Sequence, residues 1–114
     1  MNSLSELNAV IMPVCYSREH IQGILASFKS QFLDEMVENN IRSIESASAN
    51  ACYFHEWPID YYMRGDPKKR GKPALTIDEI LKGLSTRFPG CSIKYEYRPN
   101  YYNSYEHYVI VGWS

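Results

Sequence analysis

Residues 75–97 read LTIDEILKGLSTRFPGCSIKYEY, and the change of period inside this stretch decides the fold. Its first half repeats like a helix and its second half like a strand. Thr76 is placed to bond the third amide of a helix while Glu79 reaches back to Thr76, a reciprocal capping box, and Leu75 can pack on Ile80 as a hydrophobic staple. Ile77, Ile80, Leu81, Leu84 and Phe88 then share one face, and Pro89-Gly90 stops the helix. Beyond the stop, Cys91, Ile93, Tyr95 and Tyr97 alternate with Ser92, Lys94 and Glu96, the pattern of a half-buried strand.

Toward the C-terminus, 98–104 is a turn containing Pro99 and two asparagines. Residues 107–113 form a last strand, with Val109, Val111 and Trp113 on one face and Tyr108 and Ile110 on the other. Two strands this close in sequence pair most simply as an antiparallel hairpin.

Toward the N-terminus, 58–75 is the longest expected loop, broken by three prolines and two glycines. Ahead of it, Ala51 to Trp57 is an aromatic-rich strand bounded by Pro58. Ahead of that, Ile21, Ile24, Leu25, Phe28, Phe32, Met36, Val37, Ile41, Ile44 and Ala47 recur at steps of three and four. With Ser17 as cap, this spacing predicts one amphipathic helix over about 18–48, its polar face carrying Lys29, Asp34, Glu35, Glu38, Arg42 and Glu45. Asn39-Asn40 is the point at which it would divide. Thirty helical residues span about 45 Å, more than a domain of this size needs, so part of the stripe is free to meet another chain. Ser3 and Glu6 could cap a further short helix ending at Pro13. The expected architecture is a single α+β domain over 1–114 in the order α(α)-β-α-β-β. The long helix lies on one face of a three-stranded, mainly antiparallel sheet.

Composition narrows the function classes. The 114 residues contain no apolar run long enough for a membrane span. The first fifteen lack a signal-peptide pattern, so an intracellular location, cytoplasmic or nuclear, is expected. Cys15, Cys52 and Cys91 are odd in number and unpaired in spacing, and are expected to be reduced thiols; no metal or cofactor is expected. The net charge of −1 divides into −5 over 1–60 (eight acids, three bases) and +4 over 61–114 (five acids, nine bases). Such polarity suits association with copies of the chain or with a charged partner. Of ten tyrosines, nine fall between Tyr53 and Tyr108, and a side chain with an apolar body and polar tip suits contact surfaces.

Arg64, Lys68, Lys69, Arg70 and Lys72 crowd five bases into nine residues, beside Tyr61 and Tyr62. Bases on a loop neutralise phosphates, and tyrosines stack on nucleobases, so the segment is a candidate contact for nucleic acid or an acidic partner. Its composition equally fits a solvated loop or a nuclear-targeting stretch. Arg64-Gly65-Asp66 within it spells an adhesion tripeptide, taken as chance in the absence of a secretory signal. His55-Glu56 is the best acid–base pair, but strand neighbours point to opposite faces. Cys91 or Cys52 with His107 or His55 is a further nucleophile pairing. His20 and His107 lack metal-ligand spacing.

Ile44, Ala47, Tyr53, Phe54, Leu75, Ile80, Leu84, Cys91, Ile93, Val109, Val111, Trp113 and Ser114 together make a pattern over residues 44–114. It resembles the plan of short uncharacterised α+β proteins of large DNA viruses and tailed phages. There a helix leads into a strand, a capped helix follows, and a hairpin ends on an aromatic-rich strand. The resemblance implies no catalytic residues and a structural or interaction role; the basic loop is not part of that plan. The leading expectation is a non-enzymatic protein acting through self-association or a protein partner. Nucleic-acid binding through 64–72 is second, and a small enzyme using His55, Glu56 or a Cys–His pair is third.

Overall fold

A computed structural model describes residues 16–114; the expected helix at Ser3 to Pro13 lies outside the described residues. Helix α1 (Arg18–Ala49) is unbroken. Ser17 Oγ accepts from His20 N at 3.1 Å at its start. Asn39-Asn40 does not divide it. Asn40 donates back to Met36 O at 2.9 Å, and Asn39 donates to Tyr62 OH at 3.3 Å, so neither amide draws the backbone out of the helix. At its end Ala51 takes φ +61°, with Cys52 N bonded to Ala47 O at 2.9 Å and Ala51 N to Ser48 O at 3.1 Å. That is a Schellman stop made by alanine where glycine is usual.

This stop uses residues expected in the first strand, so β1 is shorter and later, Phe54–Pro58. Helix α2 (Asp60–Arg64) follows at once, inside the expected loop. Helix α3 (Ile77–Arg87) carries the capping box as expected, Glu79 N to Thr76 Oγ1 at 3.1 Å and Thr76 N to Glu79 Oε1 at 2.9 Å. Strands β2 (Ser92–Pro99) and β3 (Tyr105–Gly112) make the expected hairpin, each displaced by one or two residues from the spacing-based bounds. The sheet order is β1-β3-β2, with both pairings antiparallel.

Register sorts the side chains by face. His55, Val111 and Ile93 align across the three strands, as do Trp57, Val109 and Tyr95. This face meets Phe32 and Met36 of α1 and Ile80 and Leu84 of α3, and the core forms between them. Leu33 and Gly83 bring the two helices close: a Cβ on Gly83 would lie 2.6 Å from Leu33 Cδ1. Ion pairs flank the contact, Lys29 to Glu79 at 2.6 Å and Arg87 to Asp34 at 2.7 Å. Lys29, Asp34 and Glu35, placed by the sequence on the polar face of α1, are thus tied to α3 and to Lys72.

Candidate interaction surfaces

The basic segment is divided by the fold. Tyr62 is buried, its ring 5.0 Å from Phe32 and its hydroxyl against Asn39. Tyr61 packs edge-on against both Phe32 and Tyr62. The expected use of Tyr62 as a base-stacking ring is thus corrected: helix α2 turns it into the core. Lys72 pairs with Glu35 and sits 5.2 Å from the Phe32 ring centre. The expected contact residues Lys68, Lys69, Arg70 and Arg64 remain exposed, with no ion pair among the described residues. Gly65 is buried at φ +70° and ψ −172°, and Asp66 Oδ1 accepts from Lys68 N at 3.1 Å. The adhesion-like tripeptide is therefore built into a tight turn.

His55 and Glu56 are separated by the pleat. His55 lies beside Trp57 on the core face, ring centres 5.6 Å apart, and burial holds its pKa below the ordinary value against the pull of Glu56. Glu56 lies on the outer face and binds Arg98, which also bonds Glu96 Oε1 at 2.9 Å and rests 4.1 Å from the Tyr108 ring centre. Bonding to Glu56 raises the Arg98 pKa. His107 pairs with Tyr97, whereas Cys91 adjoins the Ser92–Gly112 end of the same ladder. Cys52 lies at that same far end, where its carbonyl accepts from Trp113 Nε1 at 3.1 Å. His107 instead bonds Tyr95 OH at 2.5 Å. No cysteine–histidine hydrogen bond and no cluster of metal-ligating side chains occurs among the described residues.

Two surfaces stand out that residue type alone did not locate. The first is the start of α1. Every residue from Tyr16 to Ser27 is exposed, including Ile21 (54%), Ile24 (45%) and Leu25 (45%), and Phe28 is only half-buried. The stripe that forms the core at Phe32 and Met36 thus passes Phe28, which lies beside Gly71, and continues about three turns past the domain through Leu25, Ile24 and Ile21, all exposed. The second is the free edge of β2, where Ser92, Lys94, Glu96 and Tyr97 are exposed. Tyrosines crowd the neighbouring end of the sheet: the Tyr97 ring lies tilted with its centre 5.3 Å from that of Tyr105 and 4.5 Å from that of His107, and Tyr101 and Tyr102 stand out on the hairpin loop.

Among the described residues no helix is long and apolar enough to cross a membrane. No family model, curated protein or solved structure matches the chain.

Proposed function

We propose that this is a non-enzymatic interaction protein that works by associating with copies of itself. The observation that carries the reading is the projecting start of α1. A helix extended past its domain keeps only intrinsic propensity, and Gly23 costs it about 1 kcal/mol relative to alanine. Burying Ile21, Ile24 and Leu25 against another chain would supply more, at about 1–2 kcal/mol per side chain. Arg18 and Glu19 are the only formal charges over 16–28, and they cancel, so charge does not oppose a second copy on this face.

Sedimentation velocity tests the reading. The wild-type chain should associate at micromolar concentration, and Ile24→Asp with Leu25→Asp should weaken that association. The same behaviour from both proteins would refute this use of α1.

Nucleic-acid binding is the second reading, favoured by the exposure of Arg64, Lys68, Lys69 and Arg70. It requires salt-sensitive retention on a phosphate matrix that drops when Lys68, Lys69 and Arg70 become alanine. Retention that survives those changes removes it.

A further inference from the structure

The unpaired edge of β2 has a definite chemistry, and it follows from bonds on the opposite side of the sheet. Ile59 N donates to His107 O at 2.9 Å, His107 N donates to Asp60 Oδ1 at 2.8 Å, and Trp113 N donates to Tyr53 O at 2.9 Å. The odd-numbered residues of β3 therefore turn their backbone groups toward β1. Its even-numbered residues turn toward β2, where they meet Arg98, Glu96, Lys94 and Ser92 in register. In an antiparallel strand the N–H and C=O of one residue point the same way. The amides and carbonyls of Ile93, Tyr95 and Tyr97 are thus aimed out of the sheet, without a hydrogen-bond partner among the described residues. Such an edge is a template for another strand.

We propose that the edge is covered by β2 of a second copy, paired antiparallel about a two-fold axis at Tyr95. The inference rests on the self-association proposed above and names a second contact surface for it. The register is selected by charge. Outward-facing backbone must meet outward-facing backbone, so odd residues pair with odd residues, and three central registers remain. Centring on Lys94 sets lysine against lysine. Centring on Glu96 sets glutamate against glutamate and Lys94 against Arg98. Centring on Tyr95 sets Lys94 against Glu96 of the other copy, twice, and Ile93 against Tyr97. It pairs Ser92 through Arg98 of the two copies and gives about six backbone hydrogen bonds, two for each bonded pair of Ile93 with Tyr97 and of Tyr95 with Tyr95. Lys94 has no ion pair among the described residues, and Glu96 accepts from Arg98 through Oε1 alone. The product is a continuous six-stranded sheet with β2 at its centre and the tyrosines of both copies gathered about the axis.

The test is a charge reversal with rescue, read by sedimentation velocity of the full chain at low salt over a concentration series. Lys94→Glu and Glu96→Lys each place like charges opposite one another at two symmetric positions, and each should weaken association about tenfold. The double variant, Lys94→Glu with Glu96→Lys, restores opposite charges across the axis and should return association to near the wild-type value. A wild-type chain that associates while the single reversals change nothing, or while the double variant is no better than the singles, overturns the edge pairing and leaves the α1 reading standing. A wild-type chain that stays single at every concentration overturns both.

Discussion

His55 and Trp57 stand side by side on the buried face of β1, ring centres 5.6 Å apart, while Glu56 between them faces the other way toward Arg98. The best acid–base pair in the sequence is thereby split between two environments, and its histidine acquires a structural consequence. Burial lowers the His55 pKa in the folded chain. The unfolded chain takes up that proton near pH 6.5, the folded chain only at lower pH, so stability falls as pH drops below about 6.5. Thermal unfolding should show a lower midpoint at pH 5.5 than at pH 7.5, and His55→Leu should flatten the difference. An equally steep decline in that variant would remove His55 as the cause.

Glu79 makes two contacts at the start of α3, to Thr76 N and to Lys29 of α1, and both can be measured. Its carboxyl is held below the ordinary range by Lys29, then by the Thr76 backbone. That stability is present above the unfolded value of about 4.3 and is lost as pH falls through the lower folded value. Glu79→Ala should cost about 1 kcal/mol in urea unfolding at pH 7, on the scale of a lost helix cap. Lys29→Ala should cost less, because exposed ion pairs are worth about 0.2–1 kcal/mol.

Gly65 and Gly23 should respond in opposite directions to alanine. At Gly65 a Cβ would lie 2.7 Å from Ala74 N and 2.8 Å from Lys72 O, both backbone, in a conformation reserved for glycine. Gly65→Ala should cost at least about 2 kcal/mol. At Gly23 nothing lies within 4 Å, so Gly23→Ala should raise the unfolding midpoint through helix propensity alone. Similar shifts at the two positions would contradict the turn geometry.

The basic segment should separate into two parts under denaturant. Changing Lys68, Lys69 and Arg70 to alanine together should leave the urea midpoint unchanged, since these side chains touch no ion-pair partner among the described residues. Lys72→Ala alone should lower it, because Lys72 ties the loop to α1 through Glu35 and Phe32.

What was legible in the sequence was local. The capping box at Thr76 and Glu79, the alternation from Cys91 to Tyr97 and the long stripe of α1 are each set by neighbours within one or two turns, so spacing revealed them. Helix α2 was hidden because prolines and glycines flank it and its five residues are too few for a period. Its helical form owes more to tertiary contact: Tyr62 fills the space beside Phe32, and Asp60 bonds the backbone of His107. The late start of β1 was hidden because alanine at 51 gave no sign of a left-handed stop. The free end of α1 was expected from length alone, but which end projects depends on where the sheet and α3 pack. The chemistry of the β2 edge depends on strand order, which periodicity does not encode.

The central claim is self-association, and light scattering at micromolar concentration tests it most directly. The single-chain mass is 13.3 kDa. The account predicts a mass that rises with concentration to at least twice that value, and a rise that needs higher concentration when Ile24→Asp and Leu25→Asp are introduced. A mass of 13.3 kDa at every concentration, for both proteins, would contradict it.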